Sequence, residues 1–152
     1  MAGFRPQLVI DRLTDAKHQI DFGHSIFSQR IATSLLTSQH FDEHITFLKT
    51  GLIAKRDLIM DSLKRELKDE ISFSSPTGGV HLWCKINEGK LNDRILFKEA
   101  LKQKMVFTPG TTLGSQEQYF RLTFSSVDNH MINEGIQRLA RAYQESKINT
   151  KI

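Results

Sequence analysis

Apolar positions recur along this chain with two different periods, and the change of period divides it. Leu8, Val9, Leu13 and Ala16 recur at helical spacing, which predicts an amphipathic helix from Pro6 to about Ile20, with Pro6 suited to a first turn. Asp21-Phe22-Gly23 interrupts it, and Ser25 can cap a second helix bearing Ile26, Phe27, Ile31, Leu35 and Leu36. The longest stripe follows. Phe41, Ile45, Leu48, Leu52, Ile59, Leu63 and Leu67 line one face from Phe41 to about Lys68, with charged residues opposite. Gly51 lies inside this helix and should weaken it by about 1 kcal/mol relative to alanine.

The period then shortens. Ile71 and Phe73 alternate, Ser74-Ser75-Pro76-Thr77-Gly78-Gly79 has loop composition, and Val80, Leu82, Cys84 and Ile86 alternate with His81, Trp83 and Lys85 as in a strand. Asn92 can cap a helix bearing Ile95, Leu96, Phe97, Ala100 and Leu101. Met105 to Thr108 reads as a short strand ending at Pro109-Gly110. Tyr119 to Ser125 reads as another, with Phe120, Leu122 and Phe124 on one face. Asp128 can start a last helix bearing Ile132, Ile136, Leu139 and Tyr143, expected to fray after Ser146. Short strands alternating with single helices imply an α+β layer, a small sheet covered by helices on one face.

Composition narrows the function classes. With 39% hydrophobic and 25% charged residues, the chain has the make-up of a water-soluble globular protein. No apolar run approaches the roughly 18 residues of a spanning helix, and no signal peptide is readable. A single cysteine, Cys84, cannot form an internal disulfide, suits a reducing cytoplasm, and alternates with core positions as a small buried hydrophobe. The net charge of +4 and pI near 9.3 raise nucleic acid as a partner. The basic residues, however, are interleaved with Asp57, Asp61, Glu66, Asp69 and Glu70, a mixture typical of solvated helix faces. The six histidines show no metal-ligand spacing; His40 and His44 are four apart without a third ligand.

Several segments in order resemble the C-terminal part of fold-type-I aminotransferases, closest to MocR-type regulators of the GntR family and to 2-aminoadipate-aminotransferase-like enzymes. They are Phe41-Asp42-Glu43-His44-Ile45 with Lys55-Arg56-Asp57, Pro76-Thr77-Gly78-Gly79-Val80-His81-Leu82-Trp83, Phe107-Thr108-Pro109-Gly110, Phe120-Arg121-Leu122-Thr123-Phe124-Ser125, and Glu134-Gly135-Ile136-Gln137-Arg138-Leu139. The resemblance implies a small mixed sheet covered by helices over residues 41–152, led by the long helix. It implies that residues 1–40 are a helical remnant of the large domain that binds pyridoxal phosphate. Gly3-Phe4 matches the end of the family's Arg-x-Gly-Tyr/Phe motif, with Met1 where the phosphate-binding arginine would be. The Ser-x-Ser-Lys context of the family's Schiff-base lysine is not found: Ser146-Lys147 lies in the tail and Ser62-Leu63-Lys64 in a helix. The segment is therefore expected to hold no cofactor and to be inactive alone, with pyridoxal phosphate bound only by a full-length protein.

The same resemblance assigns Arg121 to the carboxylate of an amino-acid or keto-acid ligand, a task suited to a planar guanidinium with paired donors. Periodicity alone would leave it an ordinary strand arginine. Gly78, Gly79, Pro109 and Gly110 are candidate site-lining residues. His81 and Trp83 share a face and read first as packing residues. Two departures from the family pattern affect the site entrance, Leu113 in place of an aromatic and Lys104 in place of a glycine. Two functions are consistent with the resemblance: the ligand-sensing domain of a transcriptional regulator, touching DNA only through an upstream domain, and a domain of an amino-acid aminotransferase. A stand-alone interaction domain is a third. The expected partners are the missing large domain and, in a full-length protein, a second copy in a homodimer; apolar positions left by the missing large domain, notably on the first two helices, suggest self-association of the segment itself.

Overall fold

The computed structural model describes residues 6–21 and 23–150; Met1, Gly3 and Phe4, on which the match to the phosphate-binding motif rests, lie outside them. The chain forms two compact units, Met1–Thr46 and Phe47–Ile152. The first contains helices α1 (Gln7–Asp21) and α2 (Ile26–Leu36) and the start of α3 (His40–Leu67). Ser25 caps α2 as its position predicts, its side chain accepting from the Ser28 amide. The apolar stripes of these two helices remain in solvent: Leu8, Leu13, Ile20, Ile26, Phe27, Ile31, Leu35 and Leu36 are all exposed.

The second unit is an α+β layer. Strands β1 (Ile71–Phe73), β2 (His81–Ile86), β3 (Thr108–Pro109) and β4 (Tyr119–Thr123) form one sheet in the order β1-β2-β4-β3. All three pairings are antiparallel, so the sheet is antiparallel where the resemblance implied a mixed one. Alternation does the sorting. Leu82, Cys84 and Ile86 of β2 and Phe120 and Leu122 of β4 enter the core, where they meet Ile59, Leu63 and Leu67 of α3, Leu96 and Ala100 of α4 (Asp93–Lys102), and Ile132, Ile136, Leu139 and Tyr143 of α5 (Asn129–Thr150). Cys84 is fully buried. All three helices cover the same face. No described helix is long and apolar enough to cross a membrane.

Three boundaries differ from the sequence reading: β4 ends at Thr123 rather than Ser125, and two others have a clear physical reason. The strand expected at Met105–Thr108 pairs only from Thr108. The residues before it close the C-terminus of α4 instead: the Lys104 amide donates to Leu101 and the Met105 amide to Ala100, with Lys104 at φ 57°. That left-handed conformation is the one glycine adopts most readily at a helix C-terminus. Gly110–Leu113 forms a 3-10 turn. The last helix continues to Thr150 because its final turns are anchored: Lys147 pairs with Glu70 and Glu88, and Gln144 donates to Glu70.

Candidate functional site

Opposite the helices, the outer face of the sheet is lined by the residues that alternate with the core. Across the β2–β4 pairing, His81 faces Thr123, Trp83 faces Arg121 and Lys85 faces Tyr119. On the other side of β4, Thr108 of β3 faces Arg121. Arg121 thus rises from the central part of the sheet between Trp83 and Thr108, half-buried. Its Nε is buried and has no hydrogen-bond partner among the described residues. A guanidinium always carries its charge, and a buried donor left unmatched costs about 1–3 kcal/mol.

The surroundings of Arg121 are ordered by Trp83 and His81, which the sequence reads as packing residues of one face, and by Tyr119, Lys85 and Thr123, which it does not single out. Trp83 stacks on Tyr119 with centroids 5.9 Å apart and planes at 14°, and the Lys85 ammonium lies 5.8 Å from the Tyr119 ring centre. His81 Nδ1 and Thr123 Oγ1 are 2.9 Å apart. Alternation had placed His81 and Trp83 on one face; the register that sets them beside Arg121 and Thr123 is a tertiary fact with no local signal.

Pro109 and Gly110 are built into this region. Pro109 pairs with Phe120, and a Cβ on Gly110 would stand 2.5 Å from the Tyr119 carbonyl oxygen, so only glycine lets the turn pack against β4. The turn is tied to the first turn of α4: Asp93, fully buried, accepts from both the amide and the hydroxyl of Thr111, each at 2.8 Å. Gly78 and Gly79 occupy another place. With Arg56, Pro76 and Phe124 they line a small depression of about 90 Å³, and a Cβ at either meets nothing within 4 Å. Gly79 is required for its φ of 82°; no close approach among the described residues requires either glycine. The Lys55-Arg56-Asp57 motif has a structural use here. Lys55 Nζ donates to the Ser125 carbonyl at 2.9 Å and Arg56 Nη1 to that of Pro76 at 3.3 Å, tying α3 to the loops that enter β2 and leave β4.

Neither lysine that closely follows a serine in the sequence offers an imine site for pyridoxal phosphate: Lys64 is exposed on α3 and Lys147 is held by Glu70 and Glu88. Lys85, on the outer face of the sheet, is exposed over Tyr119.

Comparison with known proteins agrees with this architecture. The profile of the aminotransferase class I and II family matches residues 4–139. Among curated relatives, the uncharacterized HTH-type transcriptional regulator YdfD of Bacillus subtilis is 30% identical over 141 residues, 92% of this chain and 29% of the relative. The HTH-type transcriptional regulator NorG of Staphylococcus aureus is 32% identical over 132 residues, 86% of this chain and 30% of NorG. The chain thus spans about a third of the length of the curated relatives it matches. Among solved structures, the α-aminoadipate aminotransferase LysN of Thermus thermophilus, complexed with N-(5'-phosphopyridoxyl)-L-leucine, superposes with a TM-score of 0.85 at 26% identity, over 95% of this chain and 37% of LysN. The multiple-substrate aminotransferase of Thermococcus profundus gives 0.86 at 25% identity, over 95% of this chain and 36% of that protein. The fold, the extent of the match and the order of the segments lead to one conclusion: this chain belongs to the class I and II aminotransferase family.

Proposed function

We propose that this chain is the C-terminal domain of a pyridoxal-phosphate aminotransferase-like transcriptional regulator of the MocR/GntR type. In it Arg121 grips the carboxylate of an amino-acid or keto-acid ligand. The observation that carries the ligand role is the buried, unpartnered Nε of Arg121 on the open face of the sheet. The regulator reading draws on YdfD and NorG, both HTH-type regulators; DNA would be touched by an upstream domain, in the cytoplasm. LysN supports a second reading, a domain of an amino-acid aminotransferase.

On either reading the chain holds half of a site. Pyridoxal phosphate would be bound by a large domain and would supply the electron sink for chemistry at the ligand's α-carbon. This chain contributes the orienting grip on the carboxylate, and it does not transaminate alone. The exposed apolar stripes of α1 and α2 suit burial against that large domain or a second copy in a homodimer.

The test is Arg121→Ala in the longest natural form of the protein, read as amino-acid affinity and amino-acid-dependent DNA binding. Loss of a charged, two-pronged contact should weaken ligand binding at least tenfold, since hydrogen bonds to charged groups contribute about 1.5–3 kcal/mol. Unchanged affinity and unchanged response would refute the role. Addition of pyridoxal phosphate to the 152-residue chain should give no absorbance band of a lysine-bound aldimine; a band that disappears on replacing one lysine would overturn the half-site reading.

A further inference from the structure

We infer that the chain carries a second, separate binding site in the cavity beside the unpaired end of β4, and that this site takes short aliphatic carboxylates. It lies on the helix side of the sheet and is independent of the role proposed for Arg121.

The cavity exists because β3 and β4 part early. They pair only at Thr108–Arg121 and Pro109–Phe120, since the residues before Thr108 turn away to close α4. The next partners in register, Val106 and Thr123, stay unpaired. The Phe124 amide donates to Val80 on the β2 side, and the alternation of an antiparallel ladder turns the Thr123 amide the other way, toward the gap. Ile59 of α3, Leu122 and Phe124 of β4, and Met131, Ile132 and Ile136 of α5 line a cavity of about 210 Å³ there. At about 30 Å³ for each water-sized group, that volume admits roughly seven groups, the size of a short aliphatic chain.

The rim selects the head group. Lys104, Glu134 and Arg138 are its charged residues. Glu134 is paired with Arg138 at 2.5 Å, and Arg138 Nη1 also donates to the Lys104 carbonyl. The Lys104 ammonium has no ion pair among the described residues, so the rim keeps one positive charge that nothing offsets. Lys104 also holds φ 57°, a conformation open to glycine and strained for a residue with a Cβ. A lysine there supplies what glycine could not, a cation beside an apolar cavity. An ammonium ligand would be repelled and a neutral one would gain no charge contact. A carboxylate gains that contact while its tail displaces water from the apolar walls. Every lining residue lies in the unit Phe47–Ile152, so the site needs no residue from outside this chain.

The experiment is methyl NMR on the 152-residue chain, titrated with octanoate below its aggregation concentration and with octanamide as the neutral counterpart. Octanoate should give saturable shifts at the Met131, Ile132 and Ile136 methyls. Octanamide should shift the same methyls with about fivefold weaker affinity, the upper end of what an exposed ion pair contributes. Lys104→Gly, which relieves the strained backbone, should lower octanoate affinity to that of octanamide and leave octanamide within about twofold. Gly135 lines the cavity on α5, and an added Cβ there meets nothing within 4 Å, so Gly135→Leu should fill the space and abolish the shifts from both probes. Shifts confined to the exposed apolar residues of α1 and α2 would show adsorption there and overturn the inference. So would equal affinity for the two probes, an octanoate preference that survives Lys104→Gly, or binding that survives Gly135→Leu. None of these outcomes bears on Arg121, whose role stands or falls by its own test.

Discussion

Two glycine-to-alanine changes should move the stability of this chain in opposite directions, and the structure gives both signs. At Gly110 the added methyl would stand 2.5 Å from the Tyr119 oxygen and 2.9 Å from its carbonyl carbon. Carbon–oxygen contacts settle at about 3.3–3.6 Å, so the turn must retreat by about 0.8 Å. Its counterpart cannot yield, because Tyr119 lies on β4, which is also paired with β2 through Lys85. The retreat has to be taken by β3 and the 3-10 turn. It strains the pairing of Thr108 with Arg121 and Pro109 with Phe120, and the two bonds from Thr111 to Asp93. Overpacking of this kind costs about 1–3 kcal/mol and each weakened hydrogen bond about 1 kcal/mol, so Gly110→Ala should destabilise by about 2–4 kcal/mol. At Gly51, within α3, an added Cβ meets nothing within 4 Å. There the gain in helix propensity should stabilise by up to about 1 kcal/mol. Urea denaturation at unchanged m-value measures both, and amide shifts at Thr108 and Arg121 report whether the Gly110 effect is local. A Gly110→Ala variant within about 0.5 kcal/mol of the parent, inside the range typical of neutral surface changes, would refute the packing argument.

Two further outcomes follow from buried titratable groups. Burial pushes the Cys84 thiol well above its ordinary value, and the residue is fully enclosed. An aromatic disulfide reagent should therefore leave the native chain unlabelled and react completely in concentrated urea; rapid native labelling would place Cys84 outside the core. Burial likewise pushes Tyr143 up to about 12, so the folded state holds the phenol proton more tightly than the unfolded chain. Stability from this source is full below about pH 10, where an unfolded tyrosine titrates, and is lost as pH rises through 12. Lys147, raised mainly by its hydrogen bond to Glu88, acts in the same direction. Tyr143→Phe should flatten the fall of the urea midpoint above pH 10, and identical slopes in parent and variant would refute the assignment.

Much of the layer was legible in the sequence because its elements carry their own periodicity. The stripe of α3, the alternation of β2 and β4 and the caps at Ser25 and Asn92 are local signals, and the structure places them as read. What stayed hidden depends on distant partners. The end of α5 is decided by Glu70 and Glu88, far away in sequence. The start of β3 is decided by the way Lys104 closes α4. The site divides along the same line: alternation puts Arg121, His81 and Trp83 on one face, but only the register makes Arg121 the neighbour of Trp83 and Thr108. The role proposed for Arg121 rests on resemblance to a family motif, since strand periodicity treats it as any polar residue.

The strand order β1-β2-β4-β3 has a consequence for how the chain is made. β4 is the last strand to leave the ribosome, yet it occupies an interior position with earlier-made strands on both sides. Until Tyr119–Thr123 emerges, the nascent sheet has an open edge along Leu82–Ile86, and β3 has nothing to pair with. Sites with this connectivity close late, because non-local pairing must wait for its final partner. Synthesis stalled just upstream of Tyr119 would leave an apolar edge for chaperones to cover, and the arginine arrives on the same segment that ends that exposure.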